Sequence, residues 1–126
     1  MEKIKIFSQS IGAVEAMIFD EKNPITAQKI LKALPIESKA RLWGDEVYFD
    51  IPVFEHEEDS QVEVEVGSLA YWPAGNCLCI FFGKTPASKG DLPAAASPVN
   101  VIGKVSGDVL IFKKIKNGDL IRIEAA

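Results

Sequence analysis

The 126-residue chain is predicted to be mostly β: one closed antiparallel barrel of about eight strands with one main α-helix over residues 24–34. Three observations carry this. Short apolar runs recur, and one of them, Gln61-Val62-Glu63-Val64-Glu65-Val66, alternates perfectly with period two. Turn signals punctuate them at Ser8-Gln9-Ser10, Pro73-Ala74-Gly75-Asn76, Ser106-Gly107-Asp108 and Asn117-Gly118. One segment alone carries both a helix start and a helix stop. Closure follows from edge physics, since open Val- and Ile-rich strands leave unpaired backbone groups exposed.

The first strand is read from Ile4 to Phe7, and a second apolar run, Ile11 to Phe19, follows the Ser8-Gln9-Ser10 turn. Asn23 is an N-cap candidate and Pro24 a good first helical residue. Ala27, Ile30, Leu31 and Leu34 then recur at helical spacing until Pro35 stops the helix. Glu46 to Ile51 is a strand with Val47, Phe49 and Ile51 on one face and Tyr48 on the other. Gln61 to Val66 is a strand with one wet face, ended by Gly67. Leu69–Trp72 and Cys77–Phe82 are strands around a Pro/Gly turn. Val99–Val105 and Val109–Ile115 are read as a hairpin, and Leu120–Ile123 as the last strand after Asn117-Gly118. Thr85 to Pro98, with three prolines and three consecutive alanines, is read as a loop long enough to be functional. There is no internal repeat, and one domain over 1–126 is expected.

Composition narrows the function. A 48% hydrophobic and 25% charged chain is globular, not disordered. A net charge of −4 argues against nucleic acid as a partner. Charge is also unevenly placed. Between Leu42 and Gly83 there are nine acids and no Lys or Arg, so that stretch carries −9 and the flanks +5. No apolar run reaches the roughly eighteen residues a membrane helix needs. The start, Met1-Glu2-Lys3-Ile4-Lys5-Ile6, lacks a signal peptide's apolar stretch, so a cytoplasmic protein without a membrane partner is expected.

Motifs for familiar chemistry are sparse. Cys77 and Cys79 share one face of an apolar strand, poorly placed for a disulfide, and read as buried reduced thiols. One histidine leaves zinc without enough ligands, so neither metal nor cofactor is expected. Glu55-His56-Glu57-Glu58-Asp59 reads as a solvated acidic loop. Gly83-Lys84-Thr85 imitates the end of a phosphate loop, but Leu78 stands where a Gly is required and Pro86 blocks the helix that must follow. Ser-His-Asp hydrolysis lacks a Gly-x-Ser-x-Gly elbow.

Three blocks resemble the cyclophilins: Gly12-Ala13-Val14-Glu15-Ala16-Met17-Ile18-Phe19-Asp20, then Pro24-Ile25-Thr26-Ala27-Gln28 with Leu34, and Val101-Ile102-Gly103-Lys104-Val105 before Gly107. Leu42-Trp43-Gly44-Asp45-Glu46-Val47-Tyr48-Phe49, Tyr71-Trp72-Pro73-Ala74-Gly75-Asn76 and Phe82-Gly83-Lys84-Thr85-Pro86 resemble a family of small prokaryotic cyclophilin-like proteins of uncertain function. The resemblance implies an eight-stranded closed barrel plugged by a helix, with peptidyl-prolyl cis–trans isomerase as the nearest named activity. It places Arg41 at the family's arginine, a cationic donor that weakens amide resonance near the prolyl nitrogen. The groove phenylalanine falls on or near Cys79 and the histidine on Val99, and the Gln-Gly-Gly-Asp segment has no counterpart after Tyr48.

The expected site is therefore a shallow aromatic groove. Arg41 is its catalytic candidate, and Tyr48, Tyr71, Trp72, Cys79 and Phe81 its ligand-binding residues. A binding module for a small molecule or an extended, proline-containing peptide is the first reading. A weak prolyl isomerase in the same groove is the second, and an assembly barrel in a larger complex the third.

Overall fold

The computed structural model describes residues 1–126. In chain order the elements are β1 (Glu2–Ser8), β2 (Gly12–Ile18), α1 (Pro24–Ala33), β3 (Ile36–Lys39), β4 (Arg41–Leu42), β5 (Glu46–Asp50), β6 (Gln61–Glu63), β7 (Ser68–Trp72), β8 (Cys77–Phe81), β9 (Ala94–Val105), a 3₁₀ helix over Val109–Lys114, and β10 (Leu120–Ala125). Nine strands follow the order β3-β10-β1-β2-β9-β7-β8-β5-β4, and β6 adds to β9. Every pairing is antiparallel. No helix is long and apolar enough to cross a membrane.

The closed ladder of about eight strands gives way to ten strands whose sheet hydrogen bonds do not close. The two ends, β3 and β4, are joined by Ala40 alone. Ala40 donates its N–H to the Asp119 carbonyl and accepts the Gly118 N–H on its own carbonyl, both at 2.8 Å. Its backbone groups are thus engaged by the turn before β10, and the sheet ends meet through the chain instead of through a ladder. Between the strands lies the main apolar core. It includes Ile4, Ile6, Ile18, Val47, Phe49, Leu69, Tyr71, Leu78, Ile80, Ile102, Phe112, Ile121 and Ile123, with Ala27 and Ile30 of α1 against them.

Asn23 stands at the N-cap position of α1 and its carbonyl accepts the Ala27 N–H at 3.0 Å, but its side chain does not cap the helix. It is fully buried; its Nδ2 donates to the Val101 carbonyl and its Oδ1 accepts the Asp59 N–H, each at 2.8 Å. The helix start is capped instead by Glu58, whose carboxylate accepts the N–H groups of Ile25 at 3.2 Å and Thr26 at 2.8 Å. A carboxylate suits this end, where free N–H groups and the helix dipole both favour negative charge. The segment 55–59 is a loop with His56, Glu57 and Asp59 exposed, as expected, but it is docked to the helix and to β9 through Glu55 and Glu58. Glu55 pairs with Lys29 at 2.8 Å, and Asn100 holds both the His56 carbonyl and the Glu58 N–H at 3.0 Å. The carboxylates of Glu55, Glu57 and Glu58 point to separate partners, and no cluster of metal-ligating side chains forms.

Three other expectations change. The alternating 61–66 segment pairs only over β6; Val62 and Val66 are exposed and Val64 alone is buried. A bulge against β9 breaks the register there, so period two does not translate into one apolar face. Val109–Ile115 is not a strand, because Asp108 caps a 3₁₀ helix by accepting the Leu110 N–H, and Phe112 and Ile115 then share its buried side. A short apolar run fits either state by periodicity. Lastly, the 85–98 loop ends early, since β9 begins at Ala94.

Candidate functional site

Strand alternation sorts the expected site residues onto two faces. Along β8, Leu78 and Ile80 enter the main core, while Cys77, Cys79 and Phe81 join a second, smaller cluster with Val64, Ala70, Ala95 and Val99. Tyr48 and Trp72 pack at the margin of that second cluster. Tyr71 goes the other way. It is fully buried in the main core, where its hydroxyl donates to the Val53 carbonyl at 2.8 Å and accepts the Glu55 N–H at 3.3 Å.

Above the second cluster opens an apolar cavity of about 130 Å³. Trp43, Glu46, Tyr48, Trp72, Ala95, Ala96 and Val99 line it. Each wall has a local cause. Trp43 sits in the turn joining β4 to β5 and donates its N–H to the Glu46 carbonyl at 3.0 Å. Gly44 in that turn has φ +59, and Pro86 and Thr85 fill the space a side chain would need. Trp72 closes β7, and its Nε1 donates to Ser97 Oγ at 2.6 Å. A Cβ on Gly75 would lie 2.4 Å from the indole, so only glycine lets the ring lie flat on the turn. The Tyr48 ring meets Trp72 edge-on, with centroids 6.4 Å apart and planes at 86°. Ala95, Ala96 and Val99 of β9 form the opposite wall, and their small side chains leave the space open.

Glu46 is the single charged group in this lining. It is 6% exposed, and no N–H or O–H is paired with its carboxyl. No buried polar side-chain atom in the protein lacks a partner. Burial in this apolar setting pushes the carboxyl up to about 7, offset in part by a hydrogen bond from the Cys79 thiol behind it. The same burial, with Glu46 beside it, holds Cys79 well above the ordinary thiol range. Cys77 is pushed up to about 12, by burial first and then by its hydrogen bond to Asp50. Neither thiol has the thiolate character of a nucleophile.

Arg41 lies beside this cavity but not in its wall. Cross-strand pairing sets it opposite Tyr48, and its guanidinium stacks 4.7 Å from that ring's centroid. Its NH2 group bonds Asp50 at 2.6 Å and reaches Cys77 Sγ at 3.5 Å. The structure thus brings Tyr48 and Trp72 together in the lining, puts Cys79 and Phe81 in the cluster beneath, sets Arg41 outside Tyr48, and places Tyr71 in the main core.

Sequence reasoning passes over Trp43, Glu46, Ala95 and Ala96 as site residues. Glu46 was within reach: it stands two residues before Tyr48, so the period that puts Tyr48 in the groove puts a carboxylate there too. The alanines carry no chemical signal, because their contribution is the space they leave.

Comparison with known proteins agrees with this architecture. A model of the cyclophilin-like family matches residues 2–124. A solved solution structure, of a hypothetical protein from Archaeoglobus fulgidus, superposes with a TM-score of 0.82 at 39% identity, over 99% of this chain and 95% of that one. No curated protein matches. With a family match across nearly its whole length and a solved relative at that identity, the chain belongs to the cyclophilin-like family.

Proposed function

We propose that the protein is a binding module that seats a small, mainly apolar organic group, free or at the end of a larger ligand, between Trp43, Tyr48 and Trp72. The observation that carries this is the cavity itself: about 130 Å³ of apolar space whose lining includes three aromatic rings. That volume is close to the roughly 150 Å³ engineered cavity that takes up benzene. A free side of such a lining, with one polar group to orient the guest, is the ordinary composition of a small-ligand site.

Both tryptophans of the chain line this cavity, so intrinsic fluorescence reports on it directly. Small organic probes spanning neutral rings, acids and amines should give at least one saturable emission shift, with dissociation constants near millimolar for guests this small. Ala96→Leu, at an exposed rim position, should fill the space and remove the shift while the melting temperature stays within about 2 °C. A flat response across all the probes removes the reading.

The isomerase reading depends on Arg41, and its guanidinium is engaged by Asp50 and Tyr48 outside the cavity. Wild type and Arg41→Ala should therefore leave the relaxation of a short X-Pro peptide at about 10 °C unchanged, a process of minutes when uncatalysed. Acceleration by wild type that drops in the variant would restore prolyl isomerisation as the activity.

A further inference from the structure

Resting on that binding reading, we propose that the cavity selects a methylated ammonium cation, with Trp43 and Trp72 as π-faces and Glu46 as counter-charge. Three features of the lining point to a cation. Three of its seven lining residues, Trp43, Tyr48 and Trp72, are aromatic, and aromatic rings carry the negative π-charge that recognises quaternary ammonium groups. Its only charged member is a carboxylate, 6% exposed and without an N–H or O–H partner of its own. Neither indole already carries a cation, since the one cation–π pair in the protein is Arg41 on Tyr48, and that charge is neutralised by Asp50.

Methylation is what the rest of the wall requires. An unsubstituted ammonium brings three N–H donors. Glu46 is the sole acceptor of full charge, and the Trp72 Nε1 donor is already given to Ser97. A primary ammonium would leave donors unpaired among Ala95, Ala96 and Val99, a desolvation cost that methyl groups avoid. A neutral guest leaves Glu46 uncompensated, and an anion is repelled by it.

Cation entry must also move a proton. The carboxyl half-ionises near 7 when the cavity is empty, and a cation beside it favours the ionised form. Binding below that pH therefore exchanges a proton on Glu46 for the guest. Few other groups blur this. From β8 the Cys79 thiol faces Glu46, with Cys77 farther along the strand, and both are held neutral. On its own strand Tyr48 lines the same space; β7 supplies Trp72, β9 supplies Ala95, Ala96 and Val99, and the preceding turn supplies Trp43.

The test compares tetramethylammonium with tert-butanol, a neutral molecule of like shape and heavy-atom count, by tryptophan emission and calorimetry at fixed ionic strength set with sodium chloride. At pH 8 the cation should bind at least tenfold more tightly. The preference should shrink toward none at pH 5, and binding near pH 6.5 should release protons, seen as buffer-dependent heats. Glu46→Gln should lose most of the preference and all of its pH dependence while still taking up tert-butanol. Equal or tighter binding of tert-butanol by wild type overturns the cation assignment and leaves the apolar binding module standing. A cation preference unchanged in Glu46→Gln overturns it as well, because the charge would then be read elsewhere. Saturation by neither probe, nor by any other in the wider set, removes both readings together.

Discussion

Glu46→Gln should raise the unfolding free energy by about 3 kcal/mol at pH 8 and leave it unchanged at pH 4. The sign follows from where the proton sits. In the unfolded chain the carboxyl titrates at its ordinary 4.5, and in the fold at about 7. Below 4.5 both states hold the proton and there is no difference between them. From 4.5 to 7 the unfolded chain releases its proton first, so the native state loses stability as pH rises. Above 7 the loss is complete, and a shift of this size at about 1.4 kcal/mol per unit makes it about 3 kcal/mol. Glutamine keeps the shape and removes the ionisation. Urea unfolding of both proteins at pH 4, 6 and 8 gives the difference directly, free of the other carboxylates, which cancel between the two. A difference that stays flat across that range would mean Glu46 is solvated like a surface acid, and the cavity would lose its counter-charge.

How far the sequence revealed this molecule varied with the range of the interactions involved. Local signals were faithful. Pro24 and Pro35 bracket α1, the Pro/Gly turn at 73–76 separates β7 from β8, and alternation along 77–81 splits the thiols from Leu78 and Ile80. Signals whose meaning lies in a distant partner misled. Asn23 had the chemistry of a cap, yet its amide faces Val101 and Asp59, and the cap comes from Glu58 more than thirty residues away in sequence. Val62 and Val66 had the pattern of a buried face, but both are exposed, Val62 at a bulge against β9 and Val66 in the turn beyond β6. One local signal also misled: the apolar run at 109–115 suited a strand, and Asp108 just before it caps a 3₁₀ helix instead. At the site, aromatic bulk at Tyr48 and Trp72 was legible, whereas the counter-charge was hidden in an acidic stretch where eight other carboxylates resemble it. Only pairing with β8, which sets Glu46 opposite Phe81, shows that this one is buried.

Asn100→Leu should cost about 3–5 kcal/mol and more than about 10 °C in melting temperature. Asn100 is fully buried in β9 and uses all its amide atoms. Its Nδ2 donates to the His56 carbonyl and to Thr26 Oγ1, each at 3.0 Å, and its Oδ1 accepts the Glu58 N–H at 3.0 Å. Leucine matches the amide in size, so no cavity opens; the cost is three lost hydrogen bonds, to Thr26 Oγ1, the His56 carbonyl and the Glu58 N–H, each worth about 1–1.5 kcal/mol. The damage should also spread along one path. Glu58 caps α1 only while its own N–H is held, so loss of Asn100 should free the 55–59 segment and fray the first turn of the helix. Amide exchange should accelerate at Glu58, Ile25 and Thr26 while the β1–β2 ladder keeps its protection. Combined with Glu58→Gln, the two losses should sum to less than their separate values, because each removes what the other supports. A loss below about 1 kcal/mol, or full additivity, would show that the 55–59 segment docks on its own and that β9 serves only as a wall of the cavity. The expected result makes Asn100 the point where one strand does both jobs. Its neighbour Val99 faces the cavity, while Asn100 faces inward and ties the acidic segment to the helix.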